Sequence, residues 1–309
     1  MNKIISVIIS TYNPNKKIFA QTLGALEDQT LDKKLWELII VNNNSSVYVE
    51  PNLSWHPAAQ IVDEPRQGLT YGRIKGIEKS NANIIILLDD DNLLQPDYLN
   101  QVMYAFEVNT KLGAVGGKSL PIFESPPPKW TKEFYGCLAL RDMGEEPIYA
   151  KWDGHSYPAC APIGAGMAIR KDALKSYINK IKERRITVSD RKAGELTSGG
   201  DNDIVLEILK SGFEIAYLPA LILHHIIPGF RLKGDYLGQL QNQINRSWIW
   251  VLDDHGICPW NPISRRWVRL RKILAYFKNK AWLNRANFTR WRAACGMFDG
   301  LADIKYNRL

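Results

Sequence analysis

The sequence predicts an α/β fold in which a mostly parallel central sheet is flanked by helices. Three observations lead there. Short β-branched runs such as IISVIIS and NIIILL are apolar almost throughout, as strands covered on both faces are, and lack the alternation of a half-exposed sheet. The segments between these runs have helical spacing, and a βαβα order implies parallel strands with ligands at their carboxyl ends. The 309 residues are 45% hydrophobic and 23% charged, which excludes a disordered, collagen-like or coiled-coil chain.

Taken in order, Ile4–Ser10, Leu35–Val41, Ala82–Leu88 and Gly113–Gly117 read as strands. Lys17–Gln29 and Gly68–Ser80 read as helices, and Pro96–Thr110 opens with Pro and Asp as a helix start. The opening MNKIISVIIS has one lysine and no small-residue cleavage site, so it reads as a first strand and not as a leader. Ser125–Pro162, rich in Pro and aromatics, reads as an ordered insertion lining a surface. Ser189–Gly200 reads as a polar, Gly-rich loop, and the chain after Arg231 is helical in character. No apolar run reaches the roughly 18–20 residues of a membrane span. Cys137, Cys160, Cys258 and Cys295 lie far apart with no C-x-x-C pair, which suits a reducing compartment.

Charge is unevenly placed. From His255 to Phe298 there is no acid but there are ten basic residues; without that stretch the formal charge falls from +8 to −2. The basicity therefore belongs to a C-terminal helical extension. Within it, Trp267, Leu270, Ile273, Leu274, Phe277 and Ala281 share one stripe over Ser264–Leu283. A cationic amphipathic helix of this kind suits an anionic membrane surface, and a helix docked on the rest of the protein would show the same stripe.

The strand NIIILL ends in three carboxylates, Asp89, Asp90 and Asp91. Adjacent acids repel, and a divalent cation relieves that repulsion; hard oxygen ligands suit Mn²⁺ or Mg²⁺. A solvated acidic loop is the plainer explanation of the same residues.

At this point the chain resembles a known family, the bacterial family-2 inverting glycosyltransferases with the GT-A nucleotide-sugar fold. SVIISTYN (Ser6–Asn13) is similar to that family's first strand and turn, VNNNSS (Val41–Ser46) to its V-D-N-x-S, and PRQGLTYGRIKGI (Pro65–Ile77) to its G-L-x-x-A-R-N-x-G helix start. LLDDDN matches the D-x-D turn, GAGMAIRKDAL (Gly164–Leu174) the Gly-x-Gly strand, GGDND (Gly199–Asp203) the E-D motif, and LPALILHHIIPGFRL (Leu218–Leu232) the closing P-x-x-x-x-x-H segment. The pieces keep their order over residues 4–231.

The resemblance implies a catalytic domain over residues 1–231, with a nucleotide-sugar half at 1–118 and an acceptor half at 119–231, followed by the helical extension at 232–309. It implies a hexosyltransferase-like enzyme that moves a sugar from a nucleoside diphosphate, UDP first, onto a saccharide or lipid-linked hydroxyl. Thr11, Tyr12, Asn13 and Asn42 would lie at the nucleotide, Arg66 and Arg73 at the diphosphate, and Asp89 and Asp90 at the ribose or beside the metal. Asp91 and His225 would hold Mn²⁺ or Mg²⁺, and Asp201 would be the general base. A helix N-cap before IVLEILK would explain Asp201 or Asp203 as well. His225 is preferred over His224 because it stands six residues after Pro219 and six before Arg231. Trp130, Tyr149, Trp152 and Tyr157 in the insertion offer flat faces for an acceptor sugar.

Two departures stand out. Asn42 replaces the family's usual Asp, which leaves the preference for uracil open, and Gly200 replaces the first acid of the E-D motif. Other nucleotide folds fit worse: Gly113 and Gly117 are too close for a P-loop, and TYNPNKK lacks the glycines of a dinucleotide-binding turn. A nucleic-acid-binding protein using the basic, Trp-rich tail is the non-enzyme alternative; for the enzyme, no nucleic-acid partner is expected. Location is expected to be cytoplasmic, with a peripheral position on the inner face of the plasma membrane open to it.

Overall fold

Alternation of side chains along the strands decides the architecture. The structure is a computed structural model that describes residues 3–47, 50–183, 196 and 198–307. It divides into two compact units, one of residues 1–122, 139–185 and 201–226, the other of residues 123–138, 186–200 and 227–309.

The first unit begins with β1 (Ile5–Thr11), α1 (Lys16–Glu27), β2 (Trp36–Asn42), β3 (Ala59–Asp63), α2 (Leu69–Lys79), β4 (Ile84–Leu88), β5 (Asn92–Leu94) and α3 (Tyr98–Val108). It continues with β6 (Leu112–Phe123), β7 (Ile148–Ala150), β8 (Met167–Arg170), α4 (Lys175–Lys182), α5 (Gly200–Lys210) and β9 (Glu214–Ile227). Among the described residues nine strands form one sheet in the order β3-β2-β1-β4-β8-β6-β9-β5, with β7 paired to β9. The strands β3, β2, β1 and β4 are mutually parallel; β8 runs antiparallel to β4 and β6, and β9 antiparallel to β5 and β7. The result is a mixed α/β fold with a parallel half and an antiparallel half.

Alternate residues of each central strand enter separate cores. Ile5, Val7, Ile9, Leu38, Ile40 and Ile86 pack with Phe19, Leu23 and Leu26 of α1 and with Leu99, Val102 and Phe106 of α3. Ile8, Ile39, Val41, Ile85 and Leu87 face the other way, against Ile74 and Ile77 of α2 and Ile204, Val205 and Ile208 of α5. Each such side chain contributes about 1.5–3 kcal/mol over an exposed one, so the sheet is fixed from both sides. On α2, Gly72 lies so close to Ser10 of β1 that a Cβ would meet its hydroxyl at 2.0 Å. The next residue, Arg73, is thereby held buried at the carboxyl end of β1. The register places Thr11, Asn42 and Asp63 side by side at the ends of β1, β2 and β3.

The second unit contains α6 (Gly234–Asp254), α7 (Arg265–Lys278) and α8 (Arg285–Asn307), with a short 3₁₀ segment over Lys129–Leu138. Helices α6 and α8 approach closely because Gly296 faces the Asn242 carbonyl, where a Cβ would lie 1.9 Å away. The Asn242 amide donates to the Arg292 carbonyl at 3.0 Å. Ile249, Ile263, Val268, Leu301, Ala302 and Ile304 form the core of this unit.

The polar segment Ser189–Gly200 lies mostly outside the described residues. The Ser125–Pro162 insertion is divided: residues 125–138 fall in the second unit and 139–162 in the first.

Candidate active site

The carboxyl end of β4 carries the acid triplet, and each acid has a different partner. Thr11, at the end of β1, donates its hydroxyl to the Asp90 carboxylate. Thr22 of α1 donates to the Asp90 carbonyl at 3.0 Å. The middle acid is thus tied to β1 and α1, while its neighbours serve other contacts. Asp91 Oδ2 lies 3.3 Å from His225 Nε2, and the Asn92 amide donates to Asp91 Oδ1 at 3.2 Å. Antiparallel pairing of β5 with β9 brings this about: Asn92 stands opposite His225, and the Ile226 N–H donates to the Asp91 carbonyl at 3.0 Å. His224, one residue earlier, turns to the other face, where its Nδ1 lies 3.5 Å from Gln95.

Arg73 joins two acids. It donates through one terminal nitrogen to Asp201, and the other lies 3.9 Å from Asp89. Arg73 is buried, with 5% of its surface exposed, so its charge cannot be left to water and is met by carboxylates. Asp201 sits in the first turn of α5 and also accepts the Gly164 N–H at 3.1 Å. A Cβ on Gly164 would meet the Asp201 carboxyl at 2.2 Å, so the glycine makes room for the acid. Asp203 is elsewhere: it pairs with Lys180 at 2.6 Å, as a structural ion pair does.

The residues that the family likeness assigns to the nucleotide form a second group. Asn13 takes a left-handed φ of 48°. Its N–H donates to Ser45 at 2.9 Å, and its side chain accepts from Ser46 and Val47. Tyr12 is 40% exposed beside it. Asn42 donates its amide to Asp63 at 2.8 Å and accepts the Ser45 N–H at 3.2 Å. Arg66 is held by Glu64, at 2.7 and 2.9 Å, and lies over the Tyr71 ring. That hydrogen bond keeps the Glu64 carboxyl below the usual carboxylate range. Arg66 is therefore committed locally, in contrast to Arg73.

The four insertion aromatics are divided between the two units. Tyr157 donates to Asn202 at 2.9 Å, next to Asp201 in sequence. Burial, and then the charge of Asp201, push its phenol up. Trp152 packs partly buried on the first unit's core with Lys210 over its ring. Tyr149 is 55% exposed on β7. Trp130 belongs to the second unit, where it packs edge-on against Phe134.

Sequence reasoning missed Asn43, which is buried and clamps the loop leading into α2. It donates to the Glu64 and Arg66 carbonyls, and its Oδ1 accepts the Gly68 N–H at 2.8 Å. It also missed Asp63, because a cross-strand partner is set by register and leaves no local signal.

The donor set at Asp91 and His225 suits a divalent ion. One carboxylate oxygen and one imidazole nitrogen 3.3 Å apart fit adjacent ligands of a single ion with bonds of about 2.0–2.2 Å. An Asp/His pair accommodates Mn²⁺ more readily than Mg²⁺, which prefers oxygen and retained water.

Comparisons with known proteins bear on the family and the fold. The model of Glycosyl transferase family 2 matches residues 6–178, a stretch that holds β1 and the acid triplet but stops short of Asp201 and His225. The glucosyl-dolichyl phosphate glucuronosyltransferase of Haloferax volcanii is 25% identical over 145 residues, covering 45% of this chain and 46% of that protein. An N-acetylglucosaminyltransferase of Mesorhizobium japonicum is 22% identical over 240 residues, covering 76% of this chain and 54% of its own. This chain thus spans about half the length of the curated relatives it matches. Among solved structures, S. aureus TarS 1-349 in complex with UDP-GlcNAc is similar with a TM-score of 0.54. That likeness covers 99% of this chain and 92% of TarS at 12% identity, and it speaks for the fold. The chain belongs to Glycosyl transferase family 2.

Proposed function

We propose that the chain is an inverting glycosyltransferase that moves a sugar from a nucleoside diphosphate, most naturally UDP, to a saccharide or lipid-linked hydroxyl. One observation carries the reading: Arg73 links the Asp201 carboxylate to Asp89 of the strand-end triplet, joining an acid suited to the acceptor with acids suited to the donor. TarS holds UDP-GlcNAc on the same fold, which supports a UDP-sugar donor. The Haloferax relative is a glucosyl-dolichyl phosphate glucuronosyltransferase, which supports a lipid-linked acceptor.

In this reading Asp201 accepts the proton of the acceptor hydroxyl while that oxygen attacks the anomeric carbon. The bond from that carbon to the diphosphate breaks, the electron pair leaves with the nucleoside diphosphate, and the configuration inverts. Arg73 positions Asp201 and offers its second nitrogen toward the donor's phosphates. Asp91 and His225 would hold the Mn²⁺ or Mg²⁺, which would supply positive charge to stabilise the departing diphosphate. Asn43 positions the α2 start, and Thr11 fixes Asp90. Of the four aromatics, Tyr157 is the best placed for the acceptor, through Asn202 beside Asp201.

The test is Asp201→Asn. Donor and Mn²⁺ affinity should stay within a few-fold, while turnover falls by about 10²–10⁴ because the proton acceptor is lost; the neutral amide also ends the Arg73 ion pair, so the melting temperature is measured alongside. Product NMR should show the anomer opposite to the donor's. Near-normal turnover in Asp201→Asn, or a retained anomer, would overturn the proposal. A panel of UDP- and GDP-sugars scored by hydrolysis then identifies the donor.

A further inference from the structure

We infer that the outward face of α7 is a docking surface for an anionic lipid bilayer. The helix has two apolar sides. Val268 and Ala275 are buried in the second unit, whereas Trp267, Leu270, Ile273, Leu274 and Phe277 are 45–61% exposed. At about 100° per residue the exposed set occupies an arc of about 120°. Trp282 and Leu283, 53% and 59% exposed, extend it past the helix end, where the Trp282 ring lies 5.8 Å from Phe277. Apolar surface of this continuity in water marks an interaction site.

Charge identifies the partner. At that angular spacing Arg269 borders one side of the arc, Arg271 and Lys278 border the other, and Arg266, in the first turn, falls just inside the edge that Ile273 marks. Among the described residues none of these four has an acidic partner, and neither does Lys280. The bases nearer the inner side do have one: Lys272 pairs with Asp299 at 2.7 Å and Arg265 lies 3.8 Å from Asp303. Unneutralised cations therefore border the apolar arc, where their long stems reach a charged surface while the apolar residues enter the layer beneath. A second copy of α7 would set these cations against their own likeness, and a nucleic acid would leave the apolar arc in water. Among the described residues no helix is long and apolar enough to cross a membrane, so the contact is with the bilayer surface. The helix of 14 residues gives about 21 Å of contact length.

The experiment is co-sedimentation of the whole chain with phosphatidylcholine vesicles and with vesicles containing about one-third phosphatidylglycerol. Ile273→Glu/Leu274→Glu and Arg269→Glu/Arg271→Glu are compared with the parent at 0.1 M and 1 M salt. The parent should bind anionic vesicles at least tenfold more tightly than neutral ones and lose most of that binding at 1 M salt. Both variants should lose at least tenfold while keeping their melting temperature and donor hydrolysis. Equal binding to both vesicle types overturns the inference. So does vesicle binding unchanged in both variants, a dimer in light scattering that the first variant splits, or single-stranded RNA bound more tightly than vesicles. If one variant unfolds, the other decides.

Discussion

The Arg73 guanidinium donates to the Asp201 carboxylate, joining residues 128 positions apart, while its second terminal nitrogen stands 3.9 Å from Asp89. A planar fork addresses the two acids through separate nitrogens in a fixed geometry, which a single ammonium nitrogen on a flexible stem does not reproduce. Arg73→Lys should therefore keep the fold and lower turnover by about 10²–10³, the usual effect of losing one preorganised charge contact. Arg73→Ala should also lower the melting temperature. Its cost stays below the roughly 3–5 kcal/mol of a fully buried broken pair, because the Asp201 side chain is 25% exposed. Steady-state transfer assays and calorimetry check both.

Removing metal is a separate matter from removing the base. Asp91→Asn and His225→Ala should each weaken Mn²⁺-dependent donor binding by tenfold or more, and EDTA should abolish transfer by the parent protein. Isothermal titration of UDP with and without Mn²⁺ reads this directly. Unchanged activity after exhaustive chelation would remove the metal from the proposal.

Asn42 is occupied on both sides, by Asp63 and by the Ser45 N–H, so the carboxylate at this strand end is that of Asp63, whose Oδ1 accepts the Asn42 amide. Asp63→Asn should lower the preference for UDP over other nucleoside diphosphates by about tenfold, equivalent to one net hydrogen bond to a charged group. Competition binding of UDP, CDP and GDP measures it. An unaltered ranking would place base recognition elsewhere.

His56 predicts a pH dependence of stability. Its ring lies buried against Trp36, 4.1 Å between centroids, and its Nδ1 accepts the Ala58 N–H at 3.1 Å. Burial, with Lys3 and Lys33 nearby, pulls its pKa down to about 4. The unfolded chain takes up this proton near pH 6.5 and the folded chain only near 4. The contribution is therefore complete above pH 6.5 and lost as pH falls toward 4, amounting to about 3 kcal/mol. Urea melts from pH 7.5 to 4 should show this fall, and His56→Phe should flatten it.

Much of the first unit was legible because its strands are apolar on both faces. Ile4–Ser10 anticipates β1 to within a residue, and the break from Leu88 to Asp89 announces the site. The antiparallel half was less so. The four residues of β8 give no direction, and the pairing of β5 with β9 that sets Asp91 on His225 depends on register between segments some 130 residues apart. Asp201 and His225 were singled out through family likeness and not through local pattern. On α7 a stripe facing outward and a stripe facing inward have the same period; only the smallness of Val268 and Ala275 hinted at which side packs.

The division of the chain has a consequence for synthesis. The polypeptide passes between the two units five times, at residues 122, 138, 185, 200 and 226. A nascent chain emerging from the ribosome can assemble β1 to β4 early, yet β9, which completes the sheet and delivers His225, arrives only after residue 214. The second unit waits still longer, since residues 123–138 must be kept until α6 and α8 appear. Until then those segments and the half-built sheet edge are exposed, which makes the interval a point of dependence on holdase chaperones. Pulse-labelled chains stalled near residue 200 should accordingly be protease-sensitive, and released full-length chains resistant.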